Sequence, residues 1–195
     1  MQREDYSLQL FNREVDSVVR GYPSEPQILL RLKPLLEKLI NSPDALPPAA
    51  FKAREDRFAM NLLHMPADET YSVIGGVWRP GQATPIHDHL TWAIIGVYDG
   101  EEREALFRRT DDGTNPKTAK IEQVSERINR RGHVTVLGSS GIHRVDNVSL
   151  KPALSVHVYG KDMGNLERHS YDPVTGEISK FVSGYCNVLR DEDRF

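Results

Sequence analysis

Cysteine is nearly missing from this chain of 195 residues: Cys186 stands alone. That scarcity excludes an internal disulfide and any cysteine-rich zinc or iron–sulfur centre. Long apolar runs are missing too, since none approaches the ~20 residues of a membrane span. The opening Met1-Gln2-Arg3-Glu4-Asp5 lacks the apolar stretch of a secretory signal. A soluble protein of a reducing compartment, the cytoplasm, is therefore expected. There is no excess of positive charge: 25 Lys plus Arg face 28 Asp plus Glu, for a net charge of -3. The basic residues are also scattered, which leaves no electrostatic basis for binding a nucleic acid or a membrane surface. Internal repeats and low-complexity segments are absent. What is present, 38% hydrophobic and 27% charged residues, suits one globular domain over residues 1–195 with a sizeable core.

The apolar pattern changes period along the chain. Leu8, Phe11, Val15, Val18 and Val19 recur at helical spacing, with Asp5 or Ser7 as candidate N-cap and Gly21 as the end. Ile28, Leu29, Leu32, Leu35, Leu36, Leu39 and Ile40 repeat that spacing, but Pro34 falls among them and predicts a kink or two short helices. A loop with one further helical turn is expected over 41–53. From about Phe58 the period becomes two. Strands are expected at 71–78, 93–98, 104–108, 133–137, 143–148 and 153–159, punctuated by turns such as Asp99-Gly100 and Asp111-Asp112-Gly113. Many short strands without alternating helices favour a β-sandwich or barrel. The expected fold class is thus mainly β, a barrel over 58–195 under a helical N-terminal cover at 1–57.

Chemistry concentrates in three places. In Pro85-Ile86-His87-Asp88-His89, positions i and i+2 of a strand share a face, so His87 and His89 point together and Asp88 points away. Two imidazoles side by side can bind one metal ion. Further along come Gly132, Gly138, His143 and Asn147, with five residues between Gly132 and Gly138 and three between His143 and Asn147, and five residues likewise separate Gly81 from His87. In the third place, Ser155, His157 and Tyr159 alternate with Leu154, Val156 and Val158. On a strand they form one polar face, either a row lining the barrel or an outward surface.

The spacing of the first two segments resembles the two motifs of the cupin superfamily, whose fold is a double-stranded β-helix, or jelly roll. The glutamate common in the first cupin motif falls here on or beside Ala93, so the resemblance implies a metal held by His87, His89 and His143. Neutral imidazoles suit Fe(II), Zn(II) or Ni(II), and ligand type alone does not choose among them. With Ser155, His157 and Tyr159 included, together with Arg79-Pro80-Gly81-Gln82, Thr84-Pro85-Ile86 and Arg168-His169 through Phe181-Val182-Ser183-Gly184-Tyr185, the chain resembles bacterial thiol dioxygenases of the cysteine dioxygenase family. Among these it is most similar to 3-mercaptopropionate dioxygenases.

That resemblance implies an Fe(II) enzyme that uses O2 to convert a small carboxylated thiol to its sulfinate. It implies Ser155, His157 and Tyr159 as a catalytic relay and Arg168 as the carboxylate anchor. Two departures stand out. The cysteine cross-linked to the active-site tyrosine in mammalian-type enzymes is Ala93 here. The position of their substrate-binding arginine, a glutamine in mercaptopropionate enzymes, is Met60. Met60 is therefore a candidate wall that tunes substrate choice. Trp78 and Trp92 are expected in the core, and Trp92 is also a candidate cavity wall and substrate contact. Competing readings are another metal-dependent cupin enzyme, such as a zinc or nickel isomerase, hydrolase or ring-cleaving dioxygenase, and a non-catalytic cupin that binds a small ligand.

Overall fold

In the computed structural model, residues 6–188 are described. The expected cap residue Asp5 lies outside them. Helix α1 (Leu8–Gly21) is capped by Ser7, whose hydroxyl accepts from the Leu10 N–H, and its apolar stripe buries Phe11 and Val15. Helix α2 (Glu25–Ile40) buries Ile28, Leu29, Leu32, Leu36, Leu39 and Ile40. It runs unbroken through Pro34, so the expected division into two short helices does not occur. The reason is the face on which Pro34 falls. Pro34 and Leu30 are both exposed, so water can bond the Leu30 carbonyl that proline leaves without a donor. A single 3₁₀ turn, Pro48–Phe51, closes the loop that follows.

Eleven strands are described: β1 (Ala59–His64), β2 (Ser72–Trp78), β3 (Ile86–Asp88), β4 (Ala93–Asp99), β5 (Glu101–Arg109), β6 (Ile121–Arg130), β7 (Val134–Leu137), β8 (Ile142–Asp146), β9 (Ala153–Tyr159), β10 (Arg168–Tyr171) and β11 (Ile178–Phe181). They form two sheets, ordered β1-β2-β9-β4-β7 and β11-β10-β3-β8-β5-β6. The strand pairings within both sheets are antiparallel. This is the mainly-β cupin roll with N-terminal helices that the sequence led us to expect.

Alternation on β9 sorts the layers. Leu154, Val156 and Val158 join Phe11, Leu32, Leu36 and Ile40 in the core between the helices and the five-stranded sheet. The helix approaches that sheet closely at Gly96, where a Cβ would lie 3.0 Å from Ile40 and Leu36 side-chain carbons. Ser155, His157 and Tyr159 point the other way, into the roll, and are buried. The outward polar face that alternation equally allowed is therefore not what forms. Strand β6 escaped the sequence reading because it lies at the edge of its sheet and is exposed along nearly its whole length. A strand that buries neither face carries no period-two signal.

Candidate metal centre

Register brings the histidines together. β3 pairs with β8 so that His87 stands directly opposite His143, and opposed residues of an antiparallel pair project from the same face. His89 follows one residue beyond the end of β3 on the same side as His87. The imidazoles of His87, His89 and His143 are all buried, with ligand nitrogens within 4.8 Å of one another. Their ring centroids lie 4.7 to 5.0 Å apart.

Each ring is prepared differently. His87 donates from Nδ1 to the Pro85 carbonyl at 3.0 Å. His143 donates from Nδ1 to Glu104 Oε1 at 3.0 Å. In both, Nε2 is left as the free lone pair. Both nitrogens of His89 are buried with no hydrogen-bond partner among the described residues. An orphaned buried imidazole costs free energy unless something else bonds it, and a shared cation is what the three free nitrogens fit. Burial holds His87 and His89 well below the usual histidine range, with His143 and Arg168 adding to the effect. They remain neutral ligands.

Glu104 is the residue the sequence reading missed. It lies on β5, is buried, and its Oε2 accepts from Asn129 at 2.9 Å, Thr135 at 2.8 Å and Arg127 at 3.1 Å. Burial pushes its carboxyl up, but the His143 imidazole and these other donors outweigh that and hold it at about 2. An ionised carboxylate behind a ligating imidazole fixes the tautomer and raises the basicity of the ligand nitrogen. No spacing rule links Glu104 to His143. Only the pairing of β5 with β8 brings them together.

Across the cavity, β9 supplies the second constellation. Ser155 Oγ lies 2.7 Å from His157 Nε2, and His157 Nδ1 lies 2.8 Å from the Tyr159 hydroxyl. Burial lowers His157 to about 3, with His143 contributing, and burial raises Tyr159 above its ordinary value. Tyr159 also faces the metal side, its ring centroid 5.1 Å from that of His89. Gly76 makes this line possible: a Cβ there would meet His157 Nε2 at 2.8 Å.

A small cavity of about 20 Å³ lies between the two groups, lined in part by Phe58, Met60, Trp78, His87, Tyr159 and Arg168. Arg168 is buried. It donates from Nη1 to the Asp88 carbonyl at 3.3 Å and from Nη2 to Ser183, and its carbon Cζ lies 4.5 Å from the Phe181 ring centroid. Its Nε is buried and unpartnered among the described residues. Met60 lies in the wall of this cavity. Trp92 does not line this cavity. It is packed instead in the core beneath the helices, while its neighbour Ala93, the first residue of β4, faces the roll interior. Trp78 takes the lining position, stacked on Phe58 at 4.4 Å and donating to Ser155 Oγ at 3.4 Å. Asp88 points away from the histidines and accepts from the His169 backbone and ring and from the Tyr171 hydroxyl. It anchors β10 alongside β3.

Solved structures similar to this chain include the TT1209 protein of Thermus thermophilus, at 19% identity and TM-score 0.43 over 56% of this chain and 89% of that one. A conserved protein with a double-stranded β-helix domain from Klebsiella pneumoniae subsp. pneumoniae matches at 13% identity and TM-score 0.43, over 67% and 90% of the two chains. An RmlC-like cupin family protein from Methanocaldococcus jannaschii matches at 14% identity and TM-score 0.42, over 57% and 86%. The family model for cysteine dioxygenase type I matches residues 52–172, a span that holds the three buried histidines, Glu104 and the Ser-His-Tyr line. This chain belongs to the cysteine dioxygenase type I family.

Proposed function

We propose that this protein is a non-haem Fe(II) thiol dioxygenase that converts a small carboxylated thiol, of the 3-mercaptopropionate kind, to its sulfinate. The observation that carries this reading is the convergence of three buried imidazoles on one point facing a hydrogen-bonded Ser-His-Tyr line. His87, His89 and His143 would hold a ferrous ion, which would supply a Lewis acid that favours the thiolate form of the substrate.

The chain's own residues then divide the remaining tasks. Arg168 lines the cavity and carries a buried guanidinium whose Nε is unpartnered among the described residues, and a guanidinium fork suits a carboxylate. Phe58 and Met60 wall the cavity with apolar surface, which suits a short methylene chain and offers nothing to a substrate ammonium group. Tyr159 holds its proton against the neighbouring reaction space, with His157 and Ser155 fixing the direction of its hydroxyl. The overall change adds both atoms of O2 to sulfur, at the sulfinic step of thiol oxidation.

The test is anaerobic loading with Fe(II), then O2 uptake against 3-mercaptopropionate, cysteine, cysteamine, mercaptosuccinate and aromatic thiols. The highest kcat/KM is expected for short carboxylated thiols without an amine. Equal turnover of cysteamine would remove the carboxylate anchor, and no uptake with any thiol would remove the activity.

A further inference from the structure

Outside the histidine centre lies a second, larger pocket. The cavity beside the histidines, about 20 Å³, has room for little more than a water molecule, so even a short carboxylated thiol enters it only if a wall yields. The outer pocket holds about 280 Å³. Phe58 and Met60 line both spaces and so form the partition between them. We propose that the outer pocket is the distal compartment of the thiol site, and that it takes an uncharged hydrocarbon or aryl branch of a thiol whose carboxylate stays on Arg168. This inference rests on the thiol dioxygenase reading and narrows its substrate class.

Two further contacts join the compartments. The register of β10 with β11 sets Phe181 opposite Arg168. The Phe181 ring lies 4.5 Å from the Arg168 guanidinium carbon and 6.4 Å, centroid to centroid, from His87, and it also lines the outer pocket. Ser183, on the same lining, accepts from Arg168 Nη2. A carbon chain running from the histidines to Arg168 therefore passes beside the outer pocket. The lining there selects by polarity. Apart from Ser183, Cys186 and Arg57 it is apolar, made by Phe58, Met60, Ala83, Pro85, Phe181 and Val182 with Gly184. The Ser183 hydroxyl is engaged by Arg168, and Arg57 is exposed. No carboxylate lines the pocket among the described residues, so an ammonium group has no partner in it. What such a pocket rewards is apolar surface taken out of water.

The partition yields at one point. Phe58 is held by its stack on Trp78, with centroids 4.4 Å apart and planes 12° apart. The Met60 backbone is fixed between Gly76 of β2 and the Cys186 N–H, which donates to the Met60 carbonyl at 2.8 Å. The segment that walls the far side is tied down as well. The Gly184 N–H donates to the Gly164 carbonyl at 3.0 Å, and the Asn187 side chain bonds both the N–H and the carbonyl of Leu62. What remains free to turn is the Met60 side chain, unbranched and pliable. Turning it aside joins the two spaces.

Calorimetry on zinc-loaded full-length protein tests this, with 3-mercaptopropionate and 2-benzyl-3-mercaptopropionate as the probes. The benzyl compound is expected to bind about tenfold more tightly or better. Ala83→Phe, which fills the outer pocket from an exposed position, should remove most of that advantage. Equal affinities in the wild type, weaker binding of the benzyl compound, binding of neither, or an advantage that survives in Ala83→Phe overturns the proposal. Should Ala83→Phe fail to fold, NMR of methionine-methyl-labelled wild type with the benzyl compound serves instead, the Met60 methyl being assigned by its loss in Met60→Leu. Cross-peaks between the benzyl ring and that methyl support the proposal, and their absence from the bound complex overturns it. These readouts need no oxidation. Failure of the thiol reading shows as no O2 uptake with any thiol by the iron-loaded protein, and failure of this inference as a missing preference for the branch.

Discussion

Glu104 keeps its negative charge where burial alone would neutralise it, because His143, Asn129, Thr135 and Arg127 all donate to it. Its service to the metal is to hold the His143 ring in the tautomer that frees Nε2. Glu104→Gln keeps the shape but replaces the charge, and is expected to weaken metal binding by about 10–100-fold. Competition against a chromophoric chelator measures this, and an unchanged affinity would show that His143 needs no such support. Tyr159→Phe makes the opposite separation: metal content should stay at wild-type level while thiol-dependent O2 uptake slows. An unchanged rate would leave the tyrosine hydroxyl without a role. The histidine trio was legible at this scale because two members share a strand face by period two and the third sits at a cupin spacing. Glu104 was not, since 39 residues separate it from its partner and only strand pairing joins them.

Among the elements, β2 and β9 are held in a register that sets Gly76 opposite Ser155. A methyl group at position 76 would press on His157 Nε2 at 2.8 Å, between backbone and ring where little can give. Gly76→Ala is therefore expected to cost about 1–3 kcal/mol in stability, as overpacking does, and to slow turnover more than it lowers metal content. Urea unfolding and O2 uptake, measured side by side, check it; full activity at wild-type stability would contradict the packing described. Helix α2 gives a gain instead. Pro34 is exposed within a continuous helix, so Pro34→Ala restores a backbone donor at no loss of packing. A rise in stability of up to about 3 kcal/mol is expected, read as a higher Tm, and a lower Tm would show that the ring packs usefully. Helix periodicity did locate α2 from the sequence, but whether proline breaks a helix depends on which face meets water. That is a tertiary fact. Strand β6 was hidden for a related reason, since an edge strand exposed on both faces leaves no hydrophobic pattern to read.

For the molecule as a whole, the buried imidazoles make stability depend on pH. Burial lowers His87, His89 and His157 in the fold, the last to about 3, while the unfolded chain protonates them near about 6.5. As pH falls below about 6.5 the unfolded state takes up protons that the folded state refuses, so stability drops. Glu102 acts with the opposite sign. It is raised in the fold to about 7, so its contribution is full below the unfolded carboxyl range and is lost as pH rises towards 7. The Tm of the metal-free protein is therefore expected to fall as pH is lowered from about 6.5. Saturating metal should raise the Tm most above that pH, where the imidazoles are neutral in both states and free to bind. A Tm indifferent to pH across that window would mean the histidines are not buried as described.

The proposed chemistry stands or falls on oxygen reaching sulfur at the three-histidine centre. It is probed most directly by a single incubation of iron-loaded protein with 3-mercaptopropionate under heavy-isotope dioxygen, followed by mass spectrometry of the product. A sulfinate carrying both heavy oxygen atoms is expected, formed by the wild type and not by His143→Ala. A disulfide or a product with oxygen drawn from water would contradict that chemistry, as would labelled sulfinate from the His143→Ala protein.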